Sequence, residues 1–418
     1  VGREVGQASS PSASSAPSPE RALRKRLAAI ERRRRWRTLP LALPLLVFLV
    51  ALFLYPLAEM LWRSVADTEV RAALPQTAAA LARGATVDDA LCAMLAQELV
   101  RSRADGTLAA AARRLNYDVA GMRPLLIGSG RRLAADPARD CAALRAVDPR
   151  WGEEEVWAAI RRAAGPLTDF YLLSAVDLHR NAAGEIVPVP ENEAIYREVL
   201  WRTFTTSAVV TIACLALGFP VAYLIAGLPT SRAGPLLALV LLPFWTPILV
   251  RTAAWVVLLQ NEGLVNAALV ALGVLEQPVQ LVYNRIGVYV AMTHVLLPFM
   301  ILPLYSVMRS IPPAYMRAAL SLGARPAEAF LRVYLPQAMP GVAAGSLLTF
   351  ILAIGYYITP ALIGGAGDQM IAYFIAFNVT DTGNWGLAAA LGAVLLAATL
   401  VLYVLYARLV GARGMRLG

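Results

Sequence analysis

Six apolar stretches, each long enough to cross a bilayer as a helix, constrain this chain more than any other feature. They cover residues 39–62, about 203–227, 235–259, 286–308, 342–362 and 386–410. A bilayer core takes about 20 helical residues to cross, so each stretch is a candidate span. Across 418 residues the chain is 58% hydrophobic and only 16% charged, a balance that excludes a soluble protein of this length. The expected fold is an all-α membrane protein with six transmembrane helices.

Charge gives the threading. A dense basic run, 21–37 (RALRKRLAAIERRRRWR), stands directly ahead of the first span and carries much of the net charge of +10. Such a run before a span marks the cytoplasmic side and meets anionic lipid, so a nucleic-acid partner is not expected. Threading from there places Arg232, the loop from Arg309 to Arg332, and Arg408, Arg413 and Arg416 inside, with the loops after the first, third and fifth spans outside. Both termini are then cytoplasmic, and Trp62, Trp201 and Trp385 fall at interfaces. Residues 1–38 read as a disordered, basic cytoplasmic segment and 412–418 as a cytoplasmic tail. The span at 39–62 exceeds the short apolar region of a signal peptide, which favours an uncleaved anchor.

Between the first two spans, residues 63–200 shift to Ala, Arg, Asp and Glu with no apolar run long enough to cross. This predicts a helical extracytoplasmic insertion, either a docking surface for a binding protein or a stabilising cap. Thr86 to Asp89 reads as a capping box, Asp136-Pro137 as a helix start, and Glu153 to Glu155 as the acidic opening of a helix whose last turn holds Arg161 and Arg162. Cys92 and Cys141 can pair only if this segment faces an oxidising compartment, while Cys214 lies in a span.

The loop at 309–341 is the most informative segment. Pro312-Pro313 pre-sets a helix start, 314–322 are helix formers, and Gly323 suits a left-handed exit. Pro326 opens a second short helix expected to end near Leu335-Pro336, with Met339-Pro340-Gly341 turning the chain back toward lipid. At these residues the chain resembles the inner-membrane permeases of type I ABC importers, whose cytoplasmic loop docks its first short helix into a cleft of the ATPase. The matching positions are Arg317, Ala318, Ala319, Leu322, Gly323, Ala324, Leu335 and Pro336, with Arg317 where the family usually has Glu. An ion pair made there needs an acidic partner.

Within the spans, Pro243, Pro247 and Pro298 near mid-span, with Pro220 and Pro360 nearer the ends, point to broken helices or kinks. Gly341-x-x-x-Gly345 and the small face of Gly386 to Gly392 read as close helix packing. The segment 242–255 (LPFWTPILVRTAAW), then Gly355-Tyr-Tyr-Ile-Thr-Pro360 and Gly364-Gly365, are similar to the spermidine/putrescine (polyamine) type of these permeases. That resemblance runs from about Trp201 to the end. Pathway candidates are Trp245, Arg251, Trp255, His294, Tyr356 and Tyr357. Some polyamine-type members carry an acid near the two tyrosines; here the spans hold almost none besides Glu59, leaving ring faces to hold a cation.

No GxxxxGK[ST] loop occurs, His179 and His294 are the only histidines, and no catalytic constellation or metal cluster is evident. The resemblance implies a permease subunit without its own ATPase site. It would bind no cofactor, ATP and Mg being held by partner ABC ATPase subunits. Its other partners would be a second permease subunit, related or identical, an extracytoplasmic solute-binding protein, and the lipid of the bacterial inner membrane. The cargo would be a small polar solute such as a polyamine or related organic cation or amine. The alternatives are a stand-alone secondary carrier and a non-transporting scaffold or sensor.

Overall fold

Apolar length and proline placement account for most of the architecture. The computed structural model describes Gly2, residues 43–135 and residues 140–414, the last six of these by backbone alone. The basic run, the reading of 1–38 and the Asp136-Pro137 helix start lie outside the described residues. The chain divides into two compact units, Val1–Met60 and Leu61–Gly418. Among the described residues, six helical stretches are long and apolar enough to cross a membrane.

The first unit contributes most of α1 (Leu43–Arg63), which carries a π turn at Val50–Leu54. Pro56 explains that turn. It lacks the N–H that would serve the Leu52 carbonyl, and a wider turn just ahead of it removes the clash at little cost.

The second unit opens with the insert: α2 (Glu69–Ala73), α3 (Pro75–Ala82), α4 (Asp89–Ala104), α5 (Leu108–Asp118), α6 (Met122–Arg132), α7 (Cys141–Val147), α8 (Glu154–Arg162) and α9 (Phe170–Ser174). They enclose one core in which Leu74, Leu81, Leu95, Leu99, Leu115 and Trp151 are buried. Each such leucine contributes roughly 1.5–3 kcal/mol. Two of its polar side chains are well paired: Glu98 accepts from the backbone N–H of Gln76 and Thr77 at the start of α3, and Trp151 donates to Ser129. The cap of α4 is Asp88, accepting from Leu91 N, not Thr86. Asp88 stands one residue before the helix, within reach of the orphan amides that a box starting at Thr86 would miss. The acidic start and basic end of α8 are as the charge order predicts. Cys92 and Cys141 form a disulfide closing a 49-residue separation and tying α7 to α4.

The insert is not wholly helical. A hairpin of β1 (Leu178–Arg180) and β2 (Ile186–Pro188) turns at Gly184, its strands too short to leave a periodic signal. Just before it, Asp177 accepts from the backbone N–H groups of Ile195, Tyr196 and Arg197. That carboxylate caps the next helix from a distance, at the end where a negative charge is favoured.

The transmembrane core follows as α10 (Tyr196–Gly227), α11 (Thr230–Leu241), α12 (Ile248–Leu259), α13 (Leu264–Ala271), α14 (Arg285–Ser310), α15 (Pro313–Ser321), α16 (Pro326–Ile354), α17 (Ile358–Ile363), α18 (Ile371–Thr380) and α19 (Trp385–Gly414). The third apolar stretch departs from the expected single span at 235–259. A 3-10 turn at Leu242–Trp245 and an extended Thr246 separate α11 from α12, as Pro243 and Pro247 dictate, and the crossing stretch is Ile248–Ala271 with a further turn at Gln260–Gly263. By contrast Pro220, Pro298 and Pro303 lie inside continuous helices.

The fifth span corrects the loop reading. The second loop helix does not end at Leu335-Pro336; it runs on as α16 to Ile354 through a π turn at Phe330–Tyr334. Pro336 cannot serve the Arg332 carbonyl, and the widened turn absorbs the mismatch. This repeats the arrangement ahead of Pro56.

α14 is the central helix, with 56% of its most apolar window buried, the largest share of the six. α16 approaches it closely. A Cβ at Gly345 would lie 2.9 Å from Met300 Sδ and 3.0 Å from the Met300 carbonyl, so only glycine permits the contact. On the other side, Val210 and Cys214 of α10 join the same buried cluster.

Insert and core meet through Tyr171, whose ring rests on the α19 backbone at Gly386, and through Tyr117, which donates to the Thr382 carbonyl at 3.1 Å. Beneath Tyr171 lies a fully buried pair: Arg114 Nε donates to Asp67 Oδ2 at 2.7 Å, with the guanidinium 4.1 Å from the Phe170 ring. Burial pushes the Asp67 carboxyl up to about 6, outweighing the pull of Arg114; Glu69 and Asp118 add smaller upward contributions. A carboxyl that holds its proton more tightly when folded contributes stability fully below its unfolded value, and loses it as pH rises through about 6. A shift of this size corresponds to roughly 2–3 kcal/mol. Amide protection across α5, taken relative to the intrinsic exchange rate at each pH, is expected to fall between pH 4 and 7 in the wild type, and Asp67→Asn is expected to flatten that dependence.

Candidate functional site

Two groups of residues stand apart from simple packing. The first is the elbow formed by α15 and the start of α16. Pro313 occupies the first turn of α15, where its missing N–H costs nothing. At the far end Gly323 adopts φ +89°, its N–H bonding the Leu320 carbonyl while Ala324 N–H bonds that of Ala319. This double closure is a Schellman end, and it requires a residue tolerant of positive φ. Tyr315, Ala318, Ala319 and Leu322 share one face of α15 and border a groove of about 420 Å³ completed by Val333 and Gln337. Leu322 is 89% exposed, an unusual setting for a leucine at a helix end. Arg317 and Pro336 are exposed, and Leu335 is half-buried.

The elbow is held against the core by contacts that the sequence reading missed. Phe330 meets Phe219 and Tyr223 edge to face, at centroid distances of 6.2 and 5.7 Å, and Tyr223 also meets Tyr334 at 5.1 Å. Arg309 donates to the Ala226 and Leu228 carbonyls at the end of α10. Phe330 and Tyr334 stand four apart on one helix face, which is the only local signal; their partners lie more than a hundred residues upstream. The result is an elbow fastened to the C-terminal end of α10.

The second group is an intramembrane cluster between α12, α14 and the break after α16. Trp255 Nε1 donates to His294 Nδ1 at 3.1 Å, which leaves the ring proton of neutral His294 on Nε2. Arg251 lies within Coulombic reach of both His294 and Tyr356. Its Nε is buried without a partner, and no carboxylate pairs with it among the described residues. The Tyr356 hydroxyl faces Thr359 without a hydrogen bond of good geometry, while Thr359 and Thr252 hydroxyls lie 3.3 Å apart. Four of the six pathway candidates therefore come together. Trp245, 88% exposed in its 3-10 turn, and Tyr357, exposed at the head of α17, do not join them.

From Val199 onward the side-chain carboxylates are Glu262, Glu276, Glu328, Asp368 and Asp381; none is a member of this cluster, Glu262 lying in the turn between α12 and α13 and Glu328 in the first turn of α16. The described residues contain no group of acids, histidines or cysteines arranged to hold a metal. The cluster can offer rings, hydroxyls and one fixed positive charge.

Residues 215–413 match the family model of the binding-protein-dependent transport system inner membrane component. The spermidine/putrescine transport system permease protein PotB of Haemophilus influenzae is 36% identical over 209 residues, covering 50% of this chain and 73% of that protein. The chain belongs to this permease family. The PotB protein of Escherichia coli is 34% identical, over 47% of this chain and 72% of its own length. The molybdenum transport system permease protein ModB of Mycobacterium bovis is 30% identical, over 50% and 74%. Among solved structures, a chain of a bacterial alginate ABC transporter aligns at TM-score 0.42 and 18% identity, over 50% of this chain and 76% of its own. The permease is a multi-pass inner-membrane transport component, with ATP hydrolysis assigned to a separate subunit.

Truncating Tyr334 tests whether the aromatic contacts fasten the elbow. Tyr334→Ala is expected to cost about 2–4 kcal/mol of local stability. Limited trypsin digestion should then cut faster at Arg317 and Arg332, without a change in membrane insertion.

Proposed function

We propose that this permease forms the translocation pathway of an ATP-driven importer for a polyamine or a related organic cation or amine, and that the α15 elbow is the handle by which a separate ATPase moves the spans. The observation that carries the reading is the elbow itself: an exposed apolar face ending in a Schellman turn, fastened through Phe330 and Tyr334 to α10. A helix presented this way is pre-organised for a partner, since little ordering entropy remains to be lost on docking.

The rest follows the same scheme. The N-terminus, the elbow and the C-terminal tail lie in the cytoplasm, and the insert lies outside, where its disulfide would persist. A second permease subunit completes the pathway, and a solute-binding protein delivers cargo at the outer face. Trp255, His294, Arg251 and Tyr356 line the route. With no acid in the Arg251, Trp255, His294 and Tyr356 cluster, a cationic cargo would be held by the faces of Trp255 and Tyr356 and by hydroxyls. The PotB proteins, permeases of spermidine/putrescine transport systems by name, supply the substrate class.

Proteoliposomes distinguish this reading from its rivals. With cognate ATPase, second permease and binding protein, ATP is expected to drive uptake of labelled spermidine or putrescine, and the chain alone is expected to move neither. Gly323→Val places a β-branched residue at φ +89° and is expected to abolish ATP-driven uptake. Gradient-driven flux by the chain alone would establish a secondary carrier instead. Full uptake by Gly323→Val would remove the elbow from the coupling route.

A further inference from the structure

The face that α15 presents is chemically lopsided. Residues 309–341 hold four arginines and a single carboxylate, Glu328. That carboxylate is already paired with Arg332 at 2.9 Å, and Arg309 is engaged with backbone carbonyls. Arg317 is exposed and has no ion-pair partner among the described residues. On the helix it sits one step around from Ala318, at the edge of the Tyr315, Ala318 and Leu322 stripe. An arginine there is a rim charge beside an apolar socket, the position where charge sets register and partner choice.

We propose that the ATPase cleft receiving this elbow is acidic where it meets Arg317, so that the ion pair across this interface has its positive member on the permease. The proposal rests on the reading of the elbow as the ATPase handle and specifies the partner it accepts. Two observations favour a protein cleft over anionic lipid. Leu322 is almost fully exposed, and with Ala318 and Ala319 it borders a groove closed by Val333 and Gln337 of α16, a concavity that an inserted side chain fills and a headgroup layer does not. Charge complementarity then has a selective consequence. An ATPase with a basic residue at this place would meet Arg317 with like charge and be rejected, so subunits would not exchange freely between importers.

The test uses the intact complex, purified through a tag on this chain with its cognate ATPase co-expressed, and reads ATP hydrolysis per permease. Arg317→Glu is expected to lower bound ATPase at least about tenfold, as like charges facing across an interface do, while Arg317→Lys keeps it within about threefold. Replacing the facing carboxylate of the ATPase with Arg is expected to restore binding to Arg317→Glu and to weaken binding to the wild type. Unchanged binding by Arg317→Glu overturns the proposal, as does tighter binding. Gly323→Val separates the two levels: if it loses the ATPase while Arg317→Glu keeps it, the handle stands and the acidic cleft falls. If both variants keep it, both readings fall. A lipid contact would appear in nanodiscs as an effect of Arg317→Glu that varies with phosphatidylglycerol content while ATPase binding holds, and it too overturns the proposal.

Discussion

Backbone amides and carbonyls inside a bilayer have no water to turn to, and that single constraint explains how this permease handles its prolines. Pro220, Pro298 and Pro303 sit within unbroken helices, and elsewhere two other solutions are used. Ahead of Pro56 and Pro336 the helix widens into a π turn and continues, so each chain segment crosses without a gap. At Pro243 and Pro247 the helix instead gives way to a 3-10 turn and restarts, leaving carbonyls that need protein or a wet cavity beside them. Irregular backbone in lipid survives only in such places, and the Arg251, Trp255 and His294 cluster begins one turn beyond this break. The second irregularity, at Gly355 to Tyr357, closes the same cluster from the opposite side.

Close approach at the centre then fixes the frame. α14 is buried on both sides because α16 brings glycine to Met300 and α10 brings small residues to the same helix. Dispersion between tightly fitted helices has to hold such a bundle together, since lipid tails compete equally for apolar surface. The polar members are arranged locally: Thr203, Ser207 and Thr211 each return a hydroxyl to the carbonyl one turn back on α10, and Thr203 also accepts from Ile371 N. These hydroxyls carry no charge into the bilayer.

Much of this was legible from residue order alone because lipid imposes a length rule. The six apolar stretches, the Pro313 start, the Gly323 exit and the small-residue contact of Gly345 are local signals with one physical meaning each. The misses share a cause. Proline is read locally as a stop, so the continuation of α16 past Pro336 was hidden until the π turn was seen. The hairpin at 178–188 is too short for periodicity to show. The joining of Phe330 and Tyr334 to Phe219 and Tyr223 depends on tertiary neighbours, as does the exclusion of Trp245 and Tyr357 from the cluster. No spacing rule reaches that far along a chain.

α10 has a consequence of its own. Its first turn is capped by Asp177 of the insert, and its last turns are gripped by Phe330 of the elbow and by Arg309 at the end of α14. Between them run 32 residues in one helix, roughly 48 Å at the usual rise. The insert and the elbow are therefore anchored to opposite ends of one unbroken helix rather than standing as separate appendages.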